Sequence, residues 1–145
     1  MTTVAPRQAP GIRTPADPIT EYQQSYPGRA DQVRHVRRHL AEHLAGCPAA
    51  DDALIVLSEF ATNAIVHSRS RGGHFTIHVA LSRDSVRLEC QDAGGVWRGK
   101  HIRQHDHDAR PHGLNIVEAL AGGPAGWGVQ VTGDGGRMVW ARLAW

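Results

Sequence analysis

The run Leu57-Ser58-Glu59-Phe60-Ala61-Thr62-Asn63-Ala64-Ile65-Val66-His67-Ser68 constrains this chain more than any other. It lies in a segment, Asp51 to Ser68, whose periodicity predicts a helix. At roughly 100° per residue, Leu54, Leu57, Ala61 and Ile65 share one face, and Glu59, Asn63 and His67 recur at i, i+4, i+8 on the opposite one. Ile55, Val56, Phe60 and Val66 flank that polar row, so the helix is apolar nearly all round and is expected to be covered on both sides. A carboxylate and a carboxamide in such surroundings cost about 2 kcal/mol or more each unless their hydrogen-bonding capacity is met. Two kinds of partner meet it: a backbone amide or loop of the same fold, or a bound ligand.

The chain has 145 residues, enough for one domain with a self-sufficient core. Sixteen Lys and Arg against fourteen Asp and Glu leave a formal charge of +2, which argues against direct nucleic-acid binding. Cys47 and Cys90 stand in unrelated contexts with neither disulfide nor metal spacing, so a reduced, cytoplasmic protein is expected. No N-terminal apolar leader and no stretch of membrane-spanning length is present, so no membrane partner is expected.

Met1 to Pro18 carries four prolines and few apolar side chains and is expected to be a disordered tail before a domain spanning 19–145. Ile19 to Tyr26 alternates weakly, as an edge strand does, up to the turn at Pro27-Gly28. Ala30 to Leu44 holds Val33, Val36, Leu40 and Leu44 at helical spacing, with Arg34, Arg37, Arg38 and Glu42 outside. After the central helix, Phe75–Leu81 and Ser85–Cys90 alternate as a hairpin, closed by Asp92-Ala93-Gly94-Gly95. The polar stretch from about 95 to 111 shows no periodicity, and loops of that length are usually lids or disordered segments. Gly113 to Leu120 resumes a helix, and Trp127–Thr132 with Met138–Leu143 form a second hairpin across Gly133-Asp134-Gly135-Gly136. The expected fold is an α+β two-layer sandwich: a mostly antiparallel, mixed sheet with helices on one face.

Three short stretches stand in order: Glu59-x-x-x-Asn63-Ala64 on a helix, Asp92-x-Gly94 after a strand, and His112-Gly113-Leu114 opening a helix after the lid. This set resembles the GHKL superfamily of histidine-kinase-like ATP-binding domains, and within it the small, free-standing bacterial anti-sigma-factor serine kinases. Tyr26-Pro27-Gly28, Gly46-Cys47-Pro48 and Val139-Trp140 extend the likeness over Pro18 to Trp145.

The resemblance implies ATP and Mg²⁺ as cofactors. It implies that Asn63 gives its side-chain oxygen to Mg²⁺, a hard cation that prefers oxygen ligands, and that Glu59 is the general base for an attacking hydroxyl. Asp92 would accept a hydrogen bond from the adenine amine, with Gly94 letting the backbone pass beside the base. His112, Gly113 and Leu114 would set backbone N–H groups at a helix N-terminus against the phosphates. His67 either reaches a phosphate or merely finishes its helix. Arg110 is either a γ-phosphate contact or a solvated lid residue.

Two positions depart from the family pattern. Pro111 replaces the first glycine of the second glycine motif, and proline offers no N–H. Met138 stands near the last-strand position where the family often carries a threonine that assists adenine recognition. The cluster His101, His105, Asp106, His107, Asp108 and His112 matches no standard zinc spacing, and a polar lid accounts for it. The glycine-rich Gly133–Arg137 lacks the Lys-Ser/Thr of a P-loop and is read as a hairpin turn.

The implied function is an ATP-dependent protein serine kinase that phosphorylates an anti-anti-sigma (STAS-type) partner and alternately sequesters a sigma factor. The first helix, with its arginines, is either a solvated face or part of a homodimer or partner contact. The alternative is a non-catalytic module that binds ATP or ADP and switches partners without phosphotransfer, which Pro111 favours.

Overall fold

A computed structural model of the chain describes residues 20–67, 72–94 and 112–145. Its elements are β1 (Thr20–Pro27), α1 (Gln32–His43), α2 (Ala50–His67), β2 (His74–Leu81), β3 (Ser85–Asp92), α3 (His112–Leu120), β4 (Trp127–Val131) and β5 (Arg137–Ala144), with a 3-10 turn at Pro124–Gly126 before β4. The expected tail, the lid, Arg110 and Pro111 lie outside the described residues, as do most of the histidines and aspartates of the lid cluster.

The strands form one sheet in the order β1-β2-β3-β5-β4. Each neighbouring pair among the described strands is antiparallel, so the mixed character expected for the sheet is absent there. Register follows the alternation of side chains: Tyr26 opposes Phe75, Ile77 opposes Cys90, and Leu88 opposes Ala141. Phe75, Ile77, Val79, Val86, Leu88, Cys90, Val139, Ala141 and Leu143 therefore project to one face and are buried. Val36, Leu40 and Leu44 at the α1 end and Val56, Leu57, Phe60, Ala61 and Ala64 of α2 meet them in a single core. Full burial of each Leu or Phe contributes about 1.5–3 kcal/mol, which makes this layer contact the main source of stability.

At the β1 edge the Tyr26 hydroxyl lies 3.0 Å from His39 Nδ1 and 2.7 Å from the Tyr22 hydroxyl. Burial, with the Tyr22 bond, pushes the Tyr26 phenol well above its ordinary value. The opposite face of the sheet carries polar side chains. Arg87 donates to Glu89 at 2.6 Å and stacks 4.6 Å from the Trp140 ring centre. Among the described residues, no helix is long and apolar enough to cross a membrane.

One expectation about α2 fails. Its Ala53, Val56, Leu57, Phe60, Ala61, Ala64 and Ile65 are buried, but Ile55 is 40 % and Val66 58 % exposed. The helix packs against α1, α3 and the sheet, and these partners leave a strip through Ile55, Thr62 and Val66 open. Periodicity identified the apolar residues without showing how much of the circumference the neighbours cover.

Candidate functional site

Glu59, Asn63 and His67 do form one row on α2, at unequal depth. Asn63 is only 5 % exposed, while Glu59 and His67 are half-buried. Glu59 borders the open strip and is only half-buried, so the cost of burial falls chiefly on Asn63. Its buried Nδ2 makes no hydrogen bond with any described residue, and a buried unsatisfied donor costs about 1–3 kcal/mol. The carboxamide fits either of two ligand atoms: a phosphate oxygen accepting from Nδ2–H, or, after a half-turn of the amide, a hard cation on Oδ1.

Strand β3, which carries the second motif, packs on α2. The Cys90 thiol lies 3.8 Å from the Phe60 carbonyl oxygen, which ties β3 to α2 one residue after Glu59 and three before Asn63. Asp92 follows two residues beyond Cys90, at the end of β3.

Asp92 is the last residue of β3 rather than a residue after the strand, and it is 6 % exposed. Its Oδ1 accepts the Gly94 N–H at 2.7 Å. Its Oδ2 accepts from Arg137 Nη2 at 2.8 Å and Nε at 3.3 Å. Arg137 stands directly opposite Asp92 in the β3–β5 ladder, and the two side chains are 9 % and 3 % exposed, Arg137 first. Burial pulls the Arg137 guanidinium below its ordinary value, and the Asp92 hydrogen bond and charge oppose that.

Gly94 has φ +67°, and a Cβ there would run into the Gly135 carbonyl oxygen. A side chain on Gly136 would meet the Asp92 carbonyl oxygen at 2.9 Å. The glycine following Asp92 is thus required by the β4–β5 turn folding against it, whatever lies beside it. Asp134 accepts from the Gly136 N–H at 2.9 Å and shapes that turn, which is a hairpin as expected.

Helix α3 begins at His112 and packs on α2, with Leu114 and Val117 fully buried. The Leu114 side chain is a packing residue, and its backbone stands in the first turn of the helix with Gly113, where N–H groups have no intrahelical partner. The His112 and Gly113 backbones belong to α3, while the His112 side chain lies outside the described residues. No group of three or more His, Cys, Asp or Glu side chains among the described residues is arranged to hold a metal.

Sequence reasoning missed Arg137, which it passed over as the residue after a turn. The available signal was its charge at the start of a strand whose partner ends in Asp92.

Residues 26–142 match the family model of the histidine kinase-like ATPase domain. The solved structure of the RsbU and RsbW domains of Rv1364c from Mycobacterium tuberculosis is similar, with a TM-score of 0.64 at 22 % identity. That match covers 88 % of this chain and 33 % of the other, so the chain spans about a third of that neighbour's length, and the likeness is one of fold. No curated protein sequence matches the chain. The family model takes in α2 with Glu59 and Asn63, the Asp92–Gly94 turn and α3, and the chain belongs to the histidine kinase-like ATPase domain family.

Proposed function

We infer that the chain binds ATP with Mg²⁺ and is a protein serine kinase of the anti-sigma type, which phosphorylates an anti-anti-sigma partner and alternately sequesters a sigma factor. The observation that carries the nucleotide reading is Asn63, a buried carboxamide whose Nδ2 has no described partner in a domain of this family. A magnesium-chelated triphosphate supplies what that side chain lacks, and Mg²⁺ when bound neutralises phosphate charge during transfer. Glu59, one turn earlier and half-buried beside the open strip, is the residue this reading assigns to take the proton of a partner's serine hydroxyl. The first turn of α3 presents backbone N–H groups suited to phosphate oxygens.

Titration calorimetry of the full chain with Mg²⁺-ATP tests the binding step, and loss of heat in Asp92→Asn at retained fold is the expected result. Incubation with labelled ATP and co-purifying partners tests transfer. Glu59→Ala is expected to keep nucleotide affinity and lose labelled serine; persistent labelling in that variant removes Glu59 as the base. A switch without phosphotransfer is the second reading, favoured by Pro111, whose ring nitrogen has no hydrogen to offer a phosphate. Bound nucleotide with no labelled serine selects it.

A further inference from the structure

We propose that Arg137 determines the base specificity of this site, by occupying Asp92 Oδ2 and leaving the carboxylate only one acceptor position for an incoming base. The inference rests on the reading of the site as a nucleotide site. A carboxylate has about four lone-pair positions, two on each oxygen. Two on Oδ2 face the Arg137 Nε and Nη2, and one on Oδ1 takes the Gly94 N–H. The remaining position, on Oδ1, is untaken among the described residues and suits a single N–H donor such as the 6-amine of adenine.

Guanine presents two adjacent parallel donors, N1–H and the 2-amine, which together require both carboxylate oxygens. With Oδ2 held by the guanidinium, one guanine donor stays unpaired in a buried site. Displacing Arg137 instead exchanges an ion-pair hydrogen bond for one from a neutral donor and strands a buried cation. The carboxylate has little room to turn away. Gly94 is in contact with the β4–β5 turn, and Gly136 approaches the Asp92 backbone closely. Arg137 is fixed opposite Asp92 by strand register.

The test is calorimetric titration of the full chain, Arg137→Lys and Arg137→Met with Mg²⁺-ATP and Mg²⁺-GTP, with circular dichroism to verify folding. The unsubstituted chain is expected to prefer ATP by about a hundredfold or more, the scale on which sites reject a ligand that leaves polar groups unpaired. Arg137→Met is expected to narrow that ratio at least about tenfold by tightening GTP. Arg137→Lys, which keeps the charge but covers Oδ2 at one point, narrows it less.

A merely structural role for Arg137 weakens both nucleotides together and leaves the ratio unmoved. A ratio within about twofold of the unsubstituted chain in every folded variant therefore overturns the proposal, and Arg137→Lys decides alone if Arg137→Met does not fold. Failure of the unsubstituted chain to bind either nucleotide overturns the underlying reading instead, and is seen before any variant is made.

Discussion

The Cys90 thiol sits 3.8 Å from the Phe60 carbonyl oxygen, at the point where the sheet meets the helix that carries Glu59 and Asn63. Cys90 is fully buried, and burial, aided by the charge of Asp92, pushes its thiol well above the ordinary value. The thiolate is the reactive form, so this group is inert while the layers stay packed.

The two cysteines should therefore report on different events. Cys47 is half-buried near the start of α2 and should react with an aromatic disulfide reagent in the native protein. Cys90 should react only as the domain opens. Titration of one thiol in buffer and two in denaturant is the expected count, and two fast thiols in buffer would show that the α2–β3 contact is loose.

Asn63 makes the opposite trade between stability and ligand. In the ligand-free protein an Nδ2 without a partner among the described residues is a liability, and an apolar side chain of similar volume removes it. Asn63→Leu should raise ligand-free stability by about 1 kcal/mol in urea unfolding while losing affinity for Mg²⁺-ATP. A variant less stable than the unsubstituted chain would mean that the carboxamide is satisfied within the fold, and the chief support for a ligand there would go.

The helices and hairpins were readable because each is encoded by local periodicity. Val36, Leu40 and Leu44 mark the buried side of α1, and Phe75, Ile77 and Val79 that of β2. The Asp92–Arg137 pair was not readable in the same way, since its members are 45 positions apart and meet only because β5 lies beside β3, with β4 at the edge. Neighbours that are non-consecutive in the chain leave no mark in a window of ten residues. The same limit hid the exposure of Ile55 and Val66, because a helix sequence specifies which residues are apolar and not how many neighbours the fold supplies. Among the site residues, the spacing of Glu59 and Asn63 was legible as a row, whereas their different depths depend on the packing of α1 and α3.

Removing either member of the Asp92–Arg137 pair should destabilise the domain, quite apart from any effect on nucleotide. A buried charge left without its partner costs about 3–5 kcal/mol, whereas replacing both members by neutral groups is often nearly neutral. Arg137→Met should lose stability on that scale, and Arg137→Met combined with Asp92→Asn should recover much of it. Additive losses in this double-mutant cycle would show that the two side chains do not depend on each other.

On the open face of the sheet, His78 and Glu89 give the domain a measurable pH dependence. The neighbouring Glu89 carboxylate raises His78 above its ordinary 6.5, burial opposes the rise, Glu21 adds to it and Arg87 opposes it. For Glu89, burial acts upward, but His78 and Arg87 together hold it below its ordinary 4.5. The His78 Nδ1 to Glu89 Oε2 separation of 3.5 Å is that of an ion pair rather than a good hydrogen bond, and both side chains are about one quarter exposed.

A raised histidine contributes stability that is fully present below 6.5 and lost as pH rises through its folded value. A depressed glutamate contributes stability present above 4.5 and lost as pH falls through its folded value. The pair therefore stabilises most between those two limits, while the Arg87–Glu89 bond persists to higher pH. Urea unfolding at about pH 5.5 and pH 8.5 should show a larger advantage of the unsubstituted chain over His78→Gln at the lower value. An advantage equal at both values would mean that His78 is neutral beside Glu89 throughout, and its contribution would then reduce to packing against the sheet.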